Sequence, residues 1–169
     1  MSILRRFTGD QKGAAAVEFA ILALPFFLVI FAIIEIAIMC FVAAGLDAAL
    51  HKTARQVRVG TAATDHWDLN IFKATLCGNL VYYFDCSNSL LVRATVITDM
   101  NSVNKISGIA DGTLSVSEDF NIGSAGDYVL IQAFLPWIPV VQYYSYSSSK
   151  LDDGRYVLGS AELFKNEPF

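Results

Sequence analysis

The chain has 169 residues, 54% of them hydrophobic and 17% charged, with a formal net charge of −4. That balance lacks the basic footprint of a nucleic-acid-binding protein, so no nucleic acid is expected as a partner. The apolar excess sits largely in one block near the start, and that block sets the class.

Residues 1–13 form a short, mostly basic leader ending in Gly13. From Phe19 to Ile34 no residue is charged, and after Glu35 the run from Ile36 to Leu46 is uncharged again. A membrane helix needs about 20 mostly apolar residues at about 1.5 Å each, and this stretch supplies them. It overruns the roughly 7 to 15 apolar residues of a cleaved secretory signal. A buried helix in a soluble domain is the other reading, but a helix apolar on every face over this length favours the bilayer. Residues 14–45 are therefore expected to span a membrane.

Beyond the span the pattern becomes amphipathic. Leu46, Ala49, Leu50, Thr53, Ala54 and Val57 recur at intervals of three and four and define one helical stripe, with Asp47, His51, Arg55 and Arg58 opposite. Residues 46–60 should thus extend the helix, and Gly60 is a suitable stop. A shorter helix is expected over residues 65–76, with Asp65 as its cap and Trp67, Ile71, Phe72 and Thr75 on one face.

The period then changes to two. Residues 89–98 (SLLVRATVIT), 127–135 (DYVLIQAFL) and 155–164 (RYVLGSAELF) read as strands, the last opened by the turn Asp152-Asp153-Gly154. Residues 101–126, rich in Ser, Asn, Gly and Asp, read as a long loop with one short strand at 113–117. Pro136 and Pro139 exclude the piece between them from a central strand. The following aromatics Tyr143 and Tyr144, with Trp137, form either a partner surface or a lid on the sheet. Three strands against an amphipathic helix make an α+β domain over residues 61–169.

Charge does not orient the chain. Arg5, Arg6 and Lys12 before the span are balanced by Lys52, Arg55 and Arg58 after it. Residues 61–169 carry six bases against twelve acids, a difference of −6. Cys40 lies in the apolar run, while Cys77 and Cys86 lie nine apart in the polar domain. The pair suits a disulfide in an oxidising compartment, which places the domain outside the cytoplasm. Metal binding is the rival reading, although no neighbouring ligands complete a four-ligand set. His51 and His66 are too poorly supported for a metal site, and no nucleophile triad or phosphate loop is present. The chain reads as non-enzymatic, with no metal and no cofactor.

The most informative stretch is Lys12-Gly13-Ala14-Ala15-Ala16-Val17-Glu18-Phe19-Ala20, continuing Ile21-Leu22-Ala23-Leu24-Pro25. A glycine, four small or aliphatic residues, a glutamate and an aromatic at the mouth of an apolar helix resemble a prepilin processing site. More narrowly, GAAAVEFAILALP with Ile33-Ile34-Glu35, and the close Phe164-Lys165-Asn166-Glu167-Pro168-Phe169, resemble TadE-like proteins of the Tad, or Flp-type, pilus system. The resemblance is strong over about a quarter of the chain and extends to the rest only in layout.

That resemblance implies a pilin-like layout and a minor pilin or pseudopilin that takes part in pilus assembly. A prepilin peptidase would cut after Gly13, leaving Ala14 as the new amino terminus, with Glu18 and Phe19 completing the processing site. The implied partners are other pilin-like subunits, namely the major Flp-type pilin and a second TadE- or TadF-like pseudopilin, together with an inner-membrane assembly platform and the lipid bilayer. The chain would sit in a bacterial inner membrane as a single-pass protein, with its N-terminus cytoplasmic and its C-terminal domain periplasmic.

Within the helix, Glu18, Pro25 and Glu35 are the candidate interaction residues. Charges in hydrocarbon are costly unless paired, so Glu18 can meet its own terminus or a neighbour's, or simply rest among head groups. Glu35 either contacts a partner helix or reaches water at the interface. Pro25 cannot supply an N–H to the carbonyl of Ile21 and can bend the helix. A single-pass protein with an extracytoplasmic ligand-binding or sensory domain is the alternative function.

Overall fold

The computed structural model describes residues 13–80, 86–99, 108–110, 112–139 and 151–169. The elements in chain order are α1 (Ala14–Arg58), α2 (Thr61–Thr64), α3 (Leu69–Asn79), α4 (Cys86–Ser89), β1 (Leu91–Val96), β2 (Ile109–Ala110), β3 (Thr113–Leu114), β4 (Tyr128–Trp137) and β5 (Tyr156–Lys165). This is an α+β chain with a long N-terminal apolar helix and a three-stranded antiparallel sheet, consistent with a membrane-anchored protein. Two compact units divide it, Met1–Ala37 and Ile38–Phe169.

In the second unit the expected stripe of α1 is the core. Leu46, Ala49, Leu50, Thr53, Ala54 and Val57 are all buried, because a three-four spacing places them on one face of a 3.6-residue helix. Thr53 tolerates burial by donating its hydroxyl to the Ala49 carbonyl at 2.8 Å. The helix stops at Gly60, whose φ of 83° is a left-handed value that glycine adopts without steric cost.

The next helix starts later than the sequence suggested. Asp65 ends α2 instead of opening a helix, His66 turns the chain with a φ of 52°, and Asp68 caps α3 by accepting from the Ile71 N–H at 2.8 Å. The buried face is consequently Phe72 with Leu76, while Ile71 is exposed and Trp67 is partly buried against the core. Moving the cap by three residues moves the start of the helix by nearly a turn.

The sheet order is β1-β4-β5. Val92 and Ala94 of β1, Val129, Ile131, Ala133 and Leu135 of β4, and Leu158 and Phe164 of β5 belong to the same buried cluster as the α1 stripe. Each fully buried large aliphatic side chain in it contributes about 1.5–3 kcal/mol. β4 runs through Pro136 to Trp137, pairing Pro136 with Val157, two residues beyond the expected end of the strand, yet Pro136 stays out of a centrally paired position as its chemistry requires. The reason is local: β1 pairs with β4 only as far as Phe134, so Pro136 occupies a stretch where β4 is an edge, which proline tolerates.

The short strand expected at 113–117 is two residues long and pairs with β2 as a small hairpin. Beyond it the chain is stitched along β1: Ala94 N–H donates to the Asp119 carbonyl at 2.8 Å, and Asn121 N–H to the Ala94 carbonyl at 3.0 Å. Glu118 accepts the Val92 N–H at 3.1 Å and pairs with Lys73 of α3 at 2.6 Å. The outer edge of β1 is thus covered.

Candidate functional site

The first unit holds the candidate site. Along α1 from Val17 to Ile34, twelve large apolar side chains are exposed, from 44% at Leu28 to 70% at Phe19, and Ile38 and Phe41, at the start of the second unit, are exposed too. Ala15–Arg58 is long and apolar enough to cross a membrane, with a mean hydropathy of 2.9 in its most apolar window and only 6% of that window buried. A core helix of a soluble domain would be covered. Returning these side chains to an apolar medium is worth on the order of 20 kcal/mol, at about 1–2 kcal/mol each. The segment is compatible with single-pass membrane anchoring.

The candidate processing residues lie at the start of this helix. Gly13 immediately precedes α1, and a Cβ placed on it would meet nothing within 4 Å, so its backbone is open to close approach. Glu18 and Phe19 are exposed in the second turn. Ala14 is the first residue of α1 and lies four residues before Glu18, about 6 Å along a helix. Pro25 lies within the uninterrupted α1 and is exposed. Glu35 is half-buried and stands seventeen residues from Glu18, about 25 Å along the axis, so the two acids are separate features. Between them, Phe19, Leu22, Ala23, Phe26 and Phe27 line an open apolar groove. The Phe26 and Phe27 rings meet edge-on at 5.7 Å between centroids.

The remaining candidates fall in the second unit. Cys77 and Cys86 are joined as a disulfide with Cα atoms 5.8 Å apart, linking the end of α3 to the start of α4. Cys40 is free and exposed on α1. Trp137 ends β4, partly buried against the core, with its indole N–H buried and without a hydrogen-bond partner among the described residues. Tyr143 and Tyr144 lie outside the described residues. His51 is exposed and hydrogen-bonds through Nδ1 to Glu162 Oε2 at 2.9 Å, and no group of three or more metal-ligating side chains gathers among the described residues.

Electrostatics in the second unit is a surface matter. At the turn before β5, the Arg155 side chain and then its backbone N–H hydrogen-bond Asp153 and hold that carboxyl below its ordinary value. On the polar flank of α1, Ser160 donates to Asp47 at 2.7 Å. The sequence reading gave no role to Asn166, although it is one of three buried polar residues among the described residues of the unit. Its signal in the sequence was a polar residue continuing the inward alternation of β5, one place beyond Lys165.

Together these features define a class: an α+β domain preceded by an exposed, membrane-compatible helix with an acid in its second turn. Residues 13–55, about a quarter of the chain, match the family model described as TadE-like protein. The match covers the candidate processing residues, the whole exposed stretch and most of the buried stripe. It suggests a protein associated with a Tad pilus and its components in general. No curated protein and no solved structure gives a significant match to the chain.

Proposed function

We propose that the chain is a minor pilin or pseudopilin of a Tad pilus, made with a basic leader and cut by a prepilin peptidase after Gly13. The observation that carries this reading is the TadE-like match over residues 13–55 on a helix whose apolar side chains are exposed. After cleavage, α1 holds the protein in the inner membrane and the α+β domain stands in the periplasm, where the disulfide is stable. The chain works by helix packing and domain contact, without a reaction of its own. Its partners are the peptidase, the major Flp-type pilin, a second TadE- or TadF-like subunit and the assembly platform.

The chemistry of the site supports each role. Glycine presents a bare backbone to a membrane-embedded peptidase. Cleavage turns the amide of Ala14 into an ammonium, one helical turn from the Glu18 carboxylate. Opposite charges in the same layer lower the cost of placing either near hydrocarbon, and the carboxylate is equally able to receive the terminus of an adjoining subunit. N-terminal sequencing of protein extracted from membranes tests the reading. A start at Ala14, lost in Gly13→Ala, is expected; a mature protein that still begins at Met1 would overturn it.

A further inference from the structure

Residues 166–169 tie together the end of α1 and the loop at 121–127. The tie is specific at each point. Asn166 is 3% exposed. Its side-chain amide donates to the Ile122 carbonyl at 2.8 Å and to the Ser124 carbonyl at 3.0 Å, while its backbone N–H donates to Asp127 at 2.9 Å and its carbonyl accepts from Gly126 at 3.2 Å. One residue on, the Glu167 N–H donates to the Arg58 carbonyl at 2.9 Å, supplying a partner to one of the carbonyls that a helix end leaves open. Two residues further, the Phe169 ring lies on Gly60 so closely that any Cβ there would overlap it.

The position of Asn166 is dictated by the sheet. Tyr128 pairs with Lys165 at the end of β4 and β5, so Asp127 and Asn166 are the next pair in the ladder. Side chains alternate faces along a strand, and a slip of one residue would send Asn166 to the opposite face. Lys165 or Glu167 would then stand where the loop carbonyls need a neutral two-proton donor. The outer half is held more weakly: the Arg58–Glu167 ion pair at 3.2 Å has side chains 42% and 52% exposed, and exposed pairs contribute little.

We infer that residues 166–169 are a strap that closes only on a correctly registered β4–β5 pair and then fixes the end of the long helix and the 121–127 loop as one locally opening unit. The completed sheet is in this way coupled to the helix terminus. Local units of this kind open without global unfolding and are visible in amide exchange.

The test is hydrogen exchange on the full chain in detergent micelles, comparing Phe169→Ala with the parent. Phe169 is half-exposed, so its truncation leaves the core intact. The expected result is about tenfold faster exchange at the Val59, Gly60 and Glu167 amides and, together with them, at Gly126 and Asn166, with Ile131 and Ala133 in β4 unchanged. Asn166→Ala should accelerate the same two groups of amides. Acceleration confined to the helix end, an equal change in β4, or no change would overturn the strap. If Asn166→Ala fails to fold, Phe169→Ala alone decides.

Discussion

Two stretches of one helix teach opposite lessons. From Val17 to Phe41 most of the large apolar side chains of α1 lie exposed, whereas from Val42 to Val57 the large apolar residues fall on one face and are buried. The backbone is helical throughout, so propensity does not distinguish the stretches; the periodicity of polar residues does. Where polar residues are confined to Glu18 and Glu35, the helix is suited to a largely apolar surround, and where Asp47, His51, Arg55 and Arg58 recur, it has a wet side and a dry side.

The largest expected effect comes from exchanging the same residue change between the stretches. Leu50→Ala, at a side chain 1% exposed, should destabilise the domain by about 3–5 kcal/mol through lost transfer energy and the cavity left behind. Leu24→Ala, at a side chain 64% exposed in the first unit, should leave the domain's unfolding midpoint in place. Chemical denaturation of the solubilised chain, followed by Trp fluorescence, reads both. Equal losses would mean that the first stretch also belongs to the domain's core.

A smaller effect sharpens the same contrast with cysteines. Replacing Cys77 and Cys86 by Ser removes a crosslink between residues nine apart, which should cost about 2–3 kcal/mol by the loop-closure relation. Cys40→Ser, at an exposed thiol on α1, should change nothing in the same denaturation series. A reducing agent should reproduce the first result in the parent chain. Indifference to reduction would remove the disulfide from the account of stability.

The α1 stripe was fully legible in the sequence because six positions with one period leave a single solution. The three strands were legible to within a few residues for the same reason, and the Cys pair by its spacing and setting. What escaped depended on tertiary choice. Asp65 and Asp68 are both good caps, and only the chain's route through His66 selects the second. Pro136 argued only against a central strand, and how far β4 continues past the end of β1 is a register fact that no local pattern carries. Asn166 was hidden because a single buried amide has no periodicity; its partners lie more than forty residues away in the 121–127 loop. At the candidate site, Gly13, Glu18 and Phe19 stand out in the sequence only as a motif, while the exposure of the helix behind them is a property of the fold.

The smallest effect bears on whether burial or surface charge holds the second unit. Asp153 accepts from Arg155 Nε at 2.7 Å and from its N–H at 3.0 Å, and these contacts hold its carboxyl below the ordinary 3.8. A carboxylate whose folded pKa is lowered adds stability above its ordinary range and loses it as pH falls through the lowered value. Asp153→Asn should therefore lower the melting midpoint slightly at pH 7, and the difference from the parent should close as the solution is acidified below that value. The two side chains are 43% and 47% exposed, so water and salt screen the pair and the shift should be near the limit of measurement, shrinking further at high salt. A loss rivalling that of Leu50→Ala would mean that the turn at 152–154, rather than the buried stripe of α1, sets the stability of the unit, because only a structural collapse of the β5 start could make so exposed a carboxylate so costly to neutralise.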